Sequence, residues 1–163
     1  MRGSLAFLML LLLARSGALA QSAGPSTPLT GLKSVQLVVE YLGDDSKTCG
    51  LDMEALGNAV TYPISTSRLK LKPKSSAPAL YVQVITVYNK SGNLCASSYM
   101  LEVYDFQSVI LEQTGIYSSV KLTLWAEDGV GVSDKARHRS DIISTLEELA
   151  KRLVVDWNAA QLR

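Results

Sequence analysis

Leu80-Tyr81-Val82-Gln83-Val84-Ile85-Thr86-Val87-Tyr88 is the stretch on which the fold turns. It is dense in β-branched and aromatic residues, and both of its faces are largely apolar. That pattern predicts a strand in the middle of a sheet. Asn89-Lys90-Ser91-Gly92-Asn93 follows with the composition of a hairpin turn. Leu94 to Tyr104 then reads as the returning antiparallel strand. Further on, Tyr117 to Glu127 is another strand, with Val120, Leu122, Leu124 and Ala126 on one side. Gly129-Val130-Gly131-Val132 reads as a flexible connection into the last element. That element is a long helix, because Ile142, Leu146, Leu149, Leu153 and Trp157 recur at helical spacing, flanked by Ile143, Ala150 and Val154. Ser133-Asp134 and Ser140-Asp141 both fit as its cap.

Upstream of the central stretch, Val35, Leu37, Val39 and Tyr41 alternate with Gln36 and Glu40, which predicts a strand ended by Gly43-Asp44-Asp45. Asp52 is placed as an N-cap. Met53, Leu56, Ala59 and Val60 follow as a short helix that Pro63 closes. Arg68 to Leu71 suits a brief strand, and Pro73 to Pro78 a loop. The predicted order is β-α-β-β-β-β-α. It implies an α+β domain over residues 32–163, a mainly antiparallel sheet of four to five strands with the long C-terminal helix on one face.

The N-terminus reads as an export signal. Met1-Arg2-Gly3 is a short basic start, Leu5 to Ala14 is an unbroken apolar run, and Ala18-Leu19-Ala20 has the small-x-small form of a cleavage site. A membrane anchor fits poorly, since such a run rises about 15 Å as a helix against a bilayer core of about 30 Å. No Cys follows the run to carry lipid, and no twin arginine precedes it. Residues 1–20 are therefore expected to be removed. Residues 21–31, rich in Ser, Pro, Gly and Thr, are expected to be a flexible leader. The predicted product is soluble and periplasmic or secreted. Of the 16 basic residues, Arg2 and Arg15 leave with the signal, so the remainder carries a slight acidic excess against 15 Asp and Glu. That balance argues against a nucleic-acid binder. Cys49 and Cys95 are the only cysteines. In an exported chain an even pair reads as a disulfide. A redox pair or half a metal site would need a CxxC or further histidines.

The candidates for chemistry are sparse. His138, the only histidine, sits within Lys135-Ala136-Arg137-His138-Arg139 and reads as a partly exposed helix-end residue. Asp44-Asp45 lacks the alternation of a calcium loop. The Gly129 to Val132 run lacks the third glycine and the Gly-Lys ending of a phosphate cradle. Glu102, Asp105, Glu112, Glu127 and Asp128 offer carboxylates whose separation decides whether any pair could hydrolyse a glycan. Nothing in the pattern asks for a cofactor or a metal. The aromatics say more. With Val120 to Ala126 facing the helix, Trp125 is expected on the opposite face. Tyr81 with Ile85 and Val87, and Tyr99 with Leu101 and Val103, are expected to join it there as an interaction face.

Cys49-Gly50-Leu51, Ala59-Val60-Thr61-Tyr62-Pro63-Ile64, Ser67-Arg68-Leu69-Lys70, Leu80-Tyr81-Val82 and Leu94-Cys95, with a last helix ending in Val154-Val155-Asp156-Trp157, resemble a group of small exported proteobacterial proteins of unknown function. The resemblance spans most of the chain after the signal. It implies a bacterial periplasm and a paired Cys49 and Cys95, and it brings no catalytic residues. Three functions are carried forward. The first is a non-catalytic interaction or envelope-assembly module that binds an envelope protein or itself. The others are a cell-wall hydrolase and a carrier of a small apolar ligand.

Overall fold

The computed structural model describes residues 28–73 and 77–162. Residues 1–27, on which the expected export signal and the first part of the expected leader fall, lie outside the described residues. Within them the chain is α+β, with a five-stranded mixed sheet and a long C-terminal helix. The elements are β1 (Ser34–Val39), α1 (Asp44–Thr48), α2 (Met53–Ser65), β2 (Lys70–Leu71), β3 (Ala79–Asn89), β4 (Leu94–Leu111), β5 (Ile116–Asp134) and α3 (Lys135–Gln161). The sheet order is β2-β1-β3-β4-β5. β1 runs parallel to both β2 and β3, whereas β3, β4 and β5 form an antiparallel meander. A parallel neighbour needs a crossover, and α2 supplies it.

Asp52 caps α2 as anticipated, accepting from the Ala55 amide at 2.7 Å. Pro63 does not close this helix but sits inside its last turn, two residues before its end at Ser65. α1 is an addition to the expected order, a single turn in the segment read as a strand end. Its C-cap Cys49 is joined to Cys95 at the start of β4, with Cα atoms 6.1 Å apart and both residues fully buried. Closing a 46-residue separation constrains the unfolded chain by about 4 kcal/mol on the chain-entropy account.

The core lies between the sheet and α2 with α3. The α3 stripe Ile142, Leu146, Leu149 and Leu153 packs with Leu80, Val82, Leu101 and Val103 from β3 and β4. Each fully buried side chain of this kind is worth about 1.5–3 kcal/mol in transfer free energy. The N-terminal tether docks earlier than Leu32. Leu29 is buried and its carbonyl accepts from the Gln161 amide at 2.8 Å, while the Trp157 indole N–H donates to the Leu32 carbonyl at 2.7 Å.

The largest departure from expectation is the length of β4 and β5. β3 ends its pairing at Ala79 opposite Tyr104, but β4 and β5 continue to Leu111 and Ile116 as a two-stranded ribbon beyond the sheet. Gly115, at φ 67°, closes its turn. The Gly129 to Val132 run is not a connection either. It is the last part of β5, and α3 begins directly after Asp134. Both glycines have a packing reason. A Cβ on Gly129 would stand 2.6 Å from the Tyr99 hydroxyl, and one on Gly131 would stand 3.2 Å from Ile142 Cδ1. Their bare backbone lets Tyr99 and α3 lie close against β5.

Candidate functional site

The register of the meander sorts the aromatic residues. On the face turned to the helices, rows across β3, β4 and β5 read Leu80, Val103, Trp125; Val82, Leu101, Glu127; Val84, Tyr99, Gly129; Thr86, Ser97, Gly131. On the opposite face they read Tyr81, Glu102, Ala126; Gln83, Met100, Asp128; Ile85, Ser98, Val130; Val87, Ala96, Val132. No described helix packs on this second face.

Of the three aromatics expected to share the open face, only Tyr81 lies there. Tyr99 and Trp125 are on the helix face, half-buried and packed against the core. Two physical reasons account for the correction. The pairing of Val84 with Tyr99 ties the parity of β4 to that of β3. In β5 a bulge falls between Val103, opposite Trp125, and Tyr104, opposite Thr123, leaving Leu124 without a partner. The extra residue reverses the alternation along β5, so Trp125 turns to α3 and its indole N–H donates to Asp156 at 2.8 Å. Ala126 turns to the open face.

Beyond the bulge the open face continues onto the ribbon with Tyr104 beside Thr123, Phe106 beside Lys121, Ser108 beside Ser119 and Ile110 beside Tyr117. Seven large apolar side chains stand on this one surface at 55–75 % exposure: Ile85, Val87, Val130 and Val132 at the sheet end, Phe106, Ile110 and Tyr117 on the ribbon. The sequence marks this ribbon only faintly: β-branched and aromatic residues flank Gln113-Thr114-Gly115, but apolar and polar residues alternate cleanly only away from that turn, over Tyr104-Asp105-Phe106-Gln107 and Val120-Lys121-Leu122-Thr123.

Between the two apolar ends lies a polar cluster. Glu102, 4 % exposed, accepts from Lys121 Nζ and from the Thr123 hydroxyl, each at 2.6 Å. Burial pushes the Glu102 carboxyl up, but the bonds from Lys121 and Thr123 outweigh it and hold the carboxyl below its usual range. Lys121 Nζ also lies 4.4 Å from the Tyr104 ring centre, and that ring meets Tyr81 and Phe106 edge-on. Burial and the nearby Glu40 carboxylate raise the Tyr81 phenol above its ordinary value.

Of the other carboxylates, Asp128 stands on this same open face, opposite Met100 and one row from Glu102, and is exposed. Glu127 is on the helix face, paired with Arg152 at 2.8 Å. Asp105 accepts from the Phe106 amide, and Glu112 sits in the ribbon turn. A glycan-hydrolysing pair needs one carboxyl kept protonated by a raised pKa, whereas Glu102, the carboxylate beside Asp128 on this face, is committed to Lys121 and Thr123 and held below its usual range.

His138 is fully buried, not partly exposed. It occupies the first position of the α3 stripe, four residues before Ile142, and the absence of a loop after β5 presses that first turn onto the sheet. Its Nε2 is 2.7 Å from Ser97 Oγ and its Nδ1 is 3.0 Å from Ser133 Oγ. Ser97 Oγ is in turn 2.7 Å from Thr86 Oγ1. Burial lowers the His138 pKa, partly opposed by Asp141, so the ring is neutral. Ser97 beside a neutral imidazole has the chemical parts of a nucleophile and base. With both residues wholly inside the core, no substrate carbonyl reaches them.

No family model matches the chain, and no curated protein matches it. Among solved structures, a minor lipoprotein from Acinetobacter baumannii is similar at 12 % sequence identity and a TM-score of 0.40, covering 80 % of this chain and 93 % of that one.

Proposed function

We propose that the chain is an exported, non-catalytic protein-interaction module of the bacterial envelope, which docks through the open sheet face and its ribbon. The observation that carries this reading is the set of large apolar side chains held in water on one surface. Exposed apolar surface of this kind, here in two patches on either side of a polar cluster, marks an interaction site. The cluster at its centre supplies the polar, hydrogen-bonded contacts that fix orientation. Export is supported by the buried Cys49–Cys95 disulfide, which persists in oxidising compartments, and by the signal-like residues 1–20. The interior between the sheet and α3 is filled by core side chains, which leaves the carrier reading without support.

The test is site-specific photo-crosslinking in a bacterial periplasm. A photoreactive residue at Val130 or Phe106 should yield a defined adduct. The same residue at Val155, an exposed position on α3, should not. Adducts of equal yield at all three positions, or retention of the chain in the cytoplasm, would defeat the proposal.

A further inference from the structure

The open face is self-complementary, and we infer that its occupant is a second copy of this chain. The inference rests on the interaction reading above and names the partner.

A half-turn about an axis lying between two such sheets, perpendicular to the strands and level with the β5 bulge, sets β4 over β4 and β5 over β5 in opposite directions. This is the isologous arrangement of a twofold dimer, with the sheets about 10 Å apart as in a β-sandwich. Along β5, Val132 then meets Tyr117 of the second copy, and Val130 meets Ser119. Asp128 meets Lys121, which brings opposite charges together. Along β4, Ala96 meets Ile110, Ser98 meets Ser108, and Met100 meets Phe106 in a sulfur–aromatic contact. Val132 on Tyr117, Ala96 on Ile110 and Met100 on Phe106 are apolar matches, Ser98 on Ser108 sets hydroxyl on hydroxyl, and only Val130 on Ser119 is mixed among these pairs. The sheet end of each copy covers the ribbon of the other.

That mutual cover answers a problem the fold leaves open. A two-stranded ribbon is at best marginally stable in water by itself, and this one carries apolar side chains on both faces, including Val120 and Leu122 opposite Phe106 and Ile110. The area fits a weak dimer. The five of these side chains that lie on β4 and β5, and that the second copy would cover, stand at 55–75 % exposure and hold roughly 100 Å² each, about 500 Å² together. A standard stable interface takes about 800 Å² from each partner, and transient ones take less.

The full-length chain is expressed in a bacterial host, and its exported, oxidised product is examined by sedimentation equilibrium from 1 to 100 µM (about the range that resolves a micromolar Kd). We expect a dimer, at least tenfold weakened by Val132→Asp and by Ile110→Asp, each with an unchanged far-ultraviolet spectrum. A chain carrying both Val130→Cys and Ser119→Cys should form a disulfide between copies, identified by peptide mapping. The two positions are about 35 Å apart along one strand and cannot join within a chain. A monomer throughout this range, or a dimer indifferent to both aspartates, overturns the inference. If the chain is monomeric while photo-crosslinks from Val130 persist to a different protein, the interaction reading survives and only the second copy is lost. If both fail, the reading falls too.

Discussion

The two faces of the sheet each break the ordinary rule of polar outside and apolar inside, and they break it in opposite ways. Under the first turn of α3, the helix face buries Thr86, Ser97 and His138, with Ser133 at its edge. The open face leaves Ile85, Val87, Val130 and Val132 in water. The buried set is closed. Each hydroxyl and each ring nitrogen meets another member, so the cost of desolvation is offset by hydrogen bonds made inside the protein. The exposed set is open, because no described residue covers it. A buried polar chain that satisfies itself is part of the architecture, whereas an apolar surface that nothing satisfies points outward to a partner.

The sharpest way to test the closed side is to remove what holds it shut. Replacing both cysteines by serine should lower stability by about 4 kcal/mol, read from urea midpoints of the exported protein. A loss under 1 kcal/mol would mean that Cys49 and Cys95 do not constrain the unfolded chain. Next in size is Trp125→Ala. Because the bulge turns this ring to α3, where it packs beside the core and bonds Asp156, we expect a loss of about 2 kcal/mol, less than for a fully buried tryptophan. A neutral result would return Trp125 to the open face and undo the register described for β5.

His138 sharpens the comparison through pH. Its folded pKa lies below the ordinary 6.5 because burial disfavours the charged ring. Below that value the unfolded chain binds a proton that the folded chain resists, so stability falls as pH drops. The contribution is complete above about pH 6.5 and is lost towards the lower folded value, with a limiting slope of about 1.4 kcal/mol per pH unit. Asp52 and Glu102 have depressed pKa values, so their losses belong to a more acidic window. Urea midpoints at pH 7.5 and 5.5 should therefore diverge in the wild type and converge in His138→Gln, whose amide can still bond the serines. A wild type with no difference between these pH values would show that the ring titrates freely.

Much of the fold was legible because its signals are local. The apolar run Leu80 to Tyr88, the turn that follows it, the α3 stripe and the Asp52 cap all depend on near neighbours in sequence. The features that define the candidate site are not local. Leu124 loses its partner through a mismatch between two long strands, and nothing within Leu122-Thr123-Leu124-Trp125 marks it as the unpaired residue. Gly129 and Gly131 have a loop's composition, yet they are glycines because Tyr99 and Ile142 press on them from elsewhere in the chain. The ribbon was in view, but Asp105 and Gln107 interrupt the apolar pattern that marks a sheet, and a strand exposed on both faces leaves only a weak alternation. His138 carried a fair signal, one helical turn ahead of Ile142, which its four cationic or polar neighbours obscured.

The smallest expected change in folding is the most informative about the open face. Val130→Thr keeps the β-branched shape that suits a strand and removes one apolar methyl from a side chain 71 % exposed. Against the folded monomer it should register within about 0.5 kcal/mol, as surface substitutions do. If the face is covered by a second copy, the substitution occurs twice per dimer in a dehydrated interface. Stability measured at 100 µM should then fall more than stability measured at 1 µM, because assembly adds to the folded state by mass action (about 2.7 kcal/mol for a hundredfold excess over Kd). Equal small losses at both concentrations would mean that Val130 meets water in the folded protein as it does in the unfolded chain, and the contrast between the closed and open faces would carry no function.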